Sequence, residues 1–173
     1  MGGNLGVIGF DTDSIMGAHA AVLTGTSRLS DTSQLMLTAN MSSYTSASGP
    51  IVLSFFYKDG GDSYNAPDKV WVRGSNVDSW IEILDWSNTT TNKFWTLASF
   101  RLDSILSANS QSFSASTQVL WSRYGGGAYQ YVGGLAIDEV LISDGACAAP
   151  STFVASSVSS SSVVLDWAGS GSA

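Results

Sequence analysis

Charge is scarce in this sequence. Asp, Glu, Lys and Arg together make up 12% of its 173 residues, about half the usual share. Seven Lys and Arg stand against fourteen acids, for a net charge of −7. So few cations exclude the phosphate footprint of a nucleic-acid binder. One cysteine, Cys147, rules out an internal disulfide and disfavours a disulfide-built secreted domain, without opposing bacterial export. One histidine, His19, is too few for a His/Cys metal site. No G-x-S-x-G elbow accompanies it, so a Ser-His-Asp triad is not expected either. Glu82 and Glu139 are the only glutamates, and neither lies in an alternating acidic motif of the kind that pairs an acid with a nucleophile in a glycoside hydrolase. No apolar run reaches the roughly 18 residues of a membrane span, so membrane insertion is not expected. The opening MGGNLGVIGF has neither a basic nor a long apolar segment, and Met1–Gly3 reads as an added start with any native signal removed.

What is present is small, hydroxylated and aromatic. Six Trp, six Tyr and seven Phe are spread through Ser-, Thr- and Gly-rich sequence. The organising stretch is Ile51 to Trp86. In Ile51–Lys58, Ile51, Leu53, Phe55 and Tyr57 alternate with Val52, Ser54, Phe56 and Lys58. In Lys69–Arg73, Val70 and Val72 alternate with Trp71 and Arg73. Period-two alternation bounded by Gly, Asp, Asn and Pro predicts half-buried antiparallel strands. Further strands are predicted at Leu5–Phe10, His19–Thr24, Gln34–Met41, Phe94–Leu102, Phe113–Tyr124 and Gly133–Ser143. One helical turn is predicted at Asp103–Asn109, with Asp103 as N-cap. About nine strands with almost no helix predict an all-β fold, an antiparallel jelly-roll β-sandwich. It occupies residues 4–145, with a linker at 146–150.

Two groups of residues invite a chemical reading. Asp11 and Asp13 place two carboxylates on one side of a tight turn, and Asp138 lies late in the chain. Sandwiches often bring their first and last strands together, so these three form a candidate calcium site. The alternative is an Asx-turn at Asp11 and Asp13, with Asp138 accepting backbone hydrogen bonds. The second group is aromatic. If Val70 and Val72 are buried, Trp71 and Arg73 face outward, with Phe56 a candidate neighbour. In Val119–Tyr124, Trp121 and Arg123 share one parity. Flat rings beside Arg, Asp and Asn suit stacking against sugars with hydrogen bonds to their hydroxyls. The same side chains suit core packing, the stronger reading for any single Trp, or contact with a neighbouring module, and Trp80 and Trp86, each flanking an apolar run, suit the core best.

The order of motifs is similar to a known family. An early acidic loop precedes Ser54-Phe55-Phe56-Tyr57, then Asp68-Lys69-Val70-Trp71-Val72-Arg73-Gly74-Ser75 and Ser79-Trp80-Ile81-Glu82. Phe100-Arg101-Leu102-Asp103 and Ile137-Asp138-Glu139-Val140 follow. Residues 4–145 thereby resemble the MAM-like, concanavalin A-like jelly-roll modules of bacterial surface proteins, including cleaved-adhesin domains. The resemblance implies non-catalytic binding or adhesion, with a glycan or surface-protein ligand. It also implies a structural calcium, carried here onto Asp11, Asp13 and Asp138. Residues 151–173, with Pro150, Val158, Val164, Leu165 and Trp167 in order, look like the opening of a fibronectin type III domain; the alternative is a flexible tail. A truncated second domain implies a longer modular protein with neighbouring modules. The expected function is therefore a secreted or cell-surface binding module, with Phe56, Trp71, Arg73, Trp121 and Arg123 as ligand residues. A structural spacer or assembly subunit is the alternative, and a glycoside hydrolase the least favoured.

Overall fold

A computed structural model describes residues 7–11, 14–17, 19–24, 32–45, 49–59, 68–86, 94–124, 134–144, 152–158 and 163–168. Among the described residues, nine strands form two antiparallel sheets. The five-stranded sheet runs in the order β1 (Val7–Asp11), β2 (Ala20–Thr24), β9 (Leu135–Asp144), β4 (Ile51–Asp59), β7 (Thr96–Arg101). The four-stranded sheet runs β3 (Thr32–Ala39), β8 (Thr117–Tyr124), β5 (Lys69–Arg73), β6 (Ile81–Asp85). This is the expected jelly-roll sandwich. Beyond it, β10 (Thr152–Val158) and β11 (Val163–Ala168) pair with each other in a separate two-stranded sheet.

Alternation decides which side chains enter the sandwich. From β4, Ile51, Leu53 and Phe55 are buried; from β5, Val70 and Val72; from β8, Val119 and Trp121; from β9, Leu135 and Ile137. The sheets meet at an edge-on contact between Phe55 of β4 and Trp121 of β8, with ring centroids 5.5 Å apart and planes at 86°. Phe100 stacks on Phe55 at 6.1 Å, and Tyr57 meets Trp86 at 5.0 Å. Aromatic pairs of this kind add about 0.5–1.5 kcal/mol each beyond simple burial. The core therefore takes up Phe55, Tyr57, Trp86, Phe100 and Trp121.

The one helix among the described residues, α1 (Leu102–Ala108), presents Leu102 and Leu106 to the core, four residues apart and so on one face. It ends with Ser110 in the left-handed region at φ 58. The Gln111 N–H donates to the Leu106 carbonyl and the Ser110 N–H to that of Ser107, which closes the last carbonyls in a Schellman arrangement. Asp103 is not the cap. Arg101 holds that position without a side-chain bond, and Asp103 sits inside the first turn, where the helix dipole favours a carboxylate. Its carboxylate accepts from the Arg101 guanidinium at 2.6 Å and the Ile51 N–H at 3.2 Å. The corner between β7 and α1 is thereby tied to the start of β4.

Arg101, with the Ile51 N–H adding to it, holds the Asp103 carboxyl below its ordinary value. A depressed carboxyl contributes stability above its unfolded pKa, about 4, and loses it as pH falls through the lower folded value. Asp103→Asn should therefore unfold at lower urea than the parent at pH 7. The gap should close as the pH falls from about 4 through the lower folded value. A gap of constant size across that range would show that the charge contributes nothing.

Candidate functional site

With the inner faces committed to the core, the outer face of the four-stranded sheet offers side chains in three rows. Strand pairing places Thr38, Gln118 and Arg73 in one row and Met36, Leu120, Trp71 and Glu82 in the next. Gln34, Ser122, Lys69 and Asp85 form the third. Trp71 is half-buried at the centre, and Met36 is 54% exposed. Along β5, Lys69 and Arg73 stand on either side of Trp71, each about 7 Å away along the strand.

The two ends of this strip are built differently. The Lys69 ammonium is bound by Glu82 at 2.7 Å and Asp85 at 3.2 Å, and lies 5.5 Å from the centre of the Trp71 ring. Glu82 first, then Asp85, raises its pKa. At the other end the Arg73 guanidinium lies 4.2 Å over the Trp80 ring. Its Nε donates to Gln118 Oε1 at 2.7 Å, and Gln118 Nε2 donates to Thr38 Oγ1 at 2.9 Å.

Trp80 and Arg73 rest on a tightly tied loop. Gly74 donates its N–H to Gln111 Oε1, and its carbonyl accepts from the Ser114 and Thr117 hydroxyls. Gln111 Nε2 donates to the Ser79 carbonyl. A Cβ at residue 74 would lie 2.3 Å from the Ser112 carbonyl oxygen, so the close approach requires glycine.

The five expected ligand residues divide three ways. Trp71 and Arg73 lie together on this face. Phe56 does not join them: β4 belongs to the other sheet, and Phe56 points outward there, opposite Leu97. Trp121 and Arg123 are corrected from ligand residues to core residues. Their parity on β8 is the inward one, and both are buried. Arg123 is accommodated because Nη1 lies 3.8 Å from the buried Asp68 carboxylate. Two contributors were missed. Trp80, assigned to the core from sequence, stacks on Arg73 at the outer face. Gln118 links β3 to β5 and carries no local signal; only its pairing with Arg73 across β5 and β8 reveals it.

The calcium residues fare differently. Asp13 and the side chain of Asp11 lie outside the described residues. Asp138 Oδ2 accepts from the N–H groups of Ile15 at 2.8 Å and Met16 at 3.3 Å, while Oδ1 accepts from Glu139 N–H at 2.8 Å. A bulge at Glu139, φ 50, resolves the parity conflict between Ile137 and Val140. Asp138 is thus a clasp for backbone donors, and no group of three His, Cys, Asp or Glu side chains gathers among the described residues.

Among the described residues the two glutamates are not paired with each other. Glu82 and Glu139 face outward on opposite sheets, and between Glu82 and Asp85 sits the Lys69 ammonium, where a substrate oxygen would have to lie.

Three solved structures share this fold. The family 30 carbohydrate-binding module of the cellulosomal cellulase Cel9D-Cel44B of Clostridium thermocellum matches with a TM-score of 0.51 at 15% identity, over 80% of this chain and 83% of that one. Another family 30 carbohydrate-binding module matches with a TM-score of 0.51 at 17% identity, over 79% and 73%. The glycoside hydrolase domain of Endo-D from Streptococcus pneumoniae R6 matches with a TM-score of 0.51 at 16% identity, over 96% of this chain but 26% of that one. At such identities the likeness is one of fold. No protein-family model matches the sequence, and no curated protein does. The comparisons lend no support to the narrower MAM-like resemblance or to a fibronectin type III start.

The assignment of Arg123 to the interior is testable. Asp68→Ala removes the carboxylate 3.8 Å from a buried guanidinium, which destabilises by about 3 kcal/mol or more. Asp68→Ala with Arg123→Met should recover much of that loss in urea unfolding. A double variant no more stable than the single one would contradict the pairing.

Proposed function

We propose that this domain is a non-catalytic glycan-binding module of a larger secreted or cell-surface protein. Its site is the outer face of the four-stranded sheet. The observation that carries this reading is Trp71. Its half-buried ring lies mid-sheet, flanked along β5 by Lys69 and Arg73 and across it by Met36, Leu120 and Glu82. A sugar ring stacked on the indole would find N–H donors at both ends, and carboxylates at the Lys69 end, for its hydroxyls. The fold it shares with carbohydrate-binding modules supports the same reading.

A second role, contact with a neighbouring module, is favoured by the other sheet. There Phe56 lies opposite Leu97, and Leu97 and Leu141 are 56% and 55% exposed. Exposed apolar side chains of this kind suit packing against protein.

Affinity electrophoresis through gels containing neutral and acidic soluble polysaccharides tests the glycan reading. At least one polymer should retard the protein, and Trp71→Ala should weaken that retardation at least about tenfold, as for a central aromatic contact. Its melting temperature should stay close to the parent's. An unretarded parent across the panel, or a folded Trp71→Ala that binds as the parent does, contradicts the assignment.

A further inference from the structure

The two cations beside Trp71 differ in one respect that bears on the ligand. Lys69 is already paired, with its ammonium between the carboxylates of Glu82 and Asp85. Arg73 is contacted by neutral groups: the Gln118 amide oxygen, the Trp80 ring and, at 3.4 Å, the backbone carbonyl of Asp78. None is an anion, and Arg73 has no ion pair among the described residues. Held by neutral groups, the half-buried guanidinium keeps its charge available to an anion.

The guanidinium is also held in a fixed pose. Trp80 covers one face, and the bond to Gln118 takes Nε. Gln118, 7% exposed, is itself anchored on Thr38. What remains is the edge formed by the two Nη groups, which carries only the long contact to Asp78. That edge matches the two oxygens of a carboxylate.

Resting on the glycan-binding reading, we propose that the site takes an acidic glycan and that Arg73 pairs with the carboxylate of a uronic acid residue. The sugar ring stacks on Trp71, and the chain lies with its acidic unit toward Arg73. The Lys69 end, where two carboxylates surround one ammonium, takes neutral units. Gln118 is a positioning residue that aims the guanidinium.

The test compares glucuronic-acid-bearing xylan and polygalacturonate with the same polymers after carboxyl reduction, which preserves the backbone and removes the charge. The parent should bind at least one acidic polymer at least about tenfold more tightly than its reduced form, the scale of one charge-assisted bonded pair. That preference should shrink as sodium chloride is raised. In Arg73→Gln the ratio should fall toward one, and in Arg73→Lys, which keeps the charge but not the fork, it should lie between. Gln118→Ala should lower the ratio with Arg73 intact. Equal binding of acidic and reduced polymers, or a preference that survives in a folded Arg73→Gln, overturns the acidic assignment and leaves glycan binding standing. Binding to neutral polysaccharides alone has the same consequence. Absence of binding to acidic, reduced and neutral polymers overturns both.

Discussion

The contact between Phe55 and Trp121 sets the sense of the sandwich. The two rings meet edge to face at 5.5 Å and join the five-stranded sheet to the four-stranded one. With Trp121 pointing inward, every second residue of β8 must follow it, so Val119 and Arg123 face the core and Gln118, Leu120 and Ser122 face out. Pairing passes that order to β5. Val70 lies beside Trp121, and Trp71 beside Leu120. A slip of one residue would turn Trp71 and Arg73 into the core and expose Val70 and Val72. The candidate site is in this sense the reverse side of the core.

Scarce charge makes each cation informative. Arg123 serves the interior with Asp68, Arg101 holds Asp103 at the corner before α1, and Lys69 gathers Glu82 and Asp85. These are architectural pairs, the exposed ones of small energetic value. Arg73 stands apart because the groups that hold it are neutral. A chain with seven Lys and Arg and a net charge of −7 leaves few places where an anionic group would be drawn in, and this is the most defined of them.

Much of the fold was legible from alternation. In β5 the two parities differ sharply, Val70 and Val72 against Trp71 and Arg73, so the outward pair could be read directly. β8 resists the same reading. Its inward set contains Arg123, which looks like a surface residue until Asp68, far away in sequence, supplies the partner that permits burial. Phe56 was legible as outward but not as belonging to the opposite sheet, because sheet membership depends on pairing with β7 and β9. Asp138 was legible as anomalous, and its cause, a bulge with backbone donors converging from residues 15 and 16, arises only in three dimensions. Trp80 lies just before a strand, where sequence does not say which way an indole turns; Arg73 stacked on it answers that.

The central claim is that ligand meets the outer face of the four-stranded sheet and no other. The six tryptophans provide direct reporters through their indole N–H signals in a nitrogen–proton correlation spectrum, followed during titration with oligosaccharides from whichever polymer is bound. The signals of Trp71 and Trp80 should move together and saturate, while those of the buried Trp86 and Trp121 stay in place. Saturable shifts at Trp121 or at backbone amides around Phe56 and Leu97, with Trp71 and Trp80 still, would contradict it.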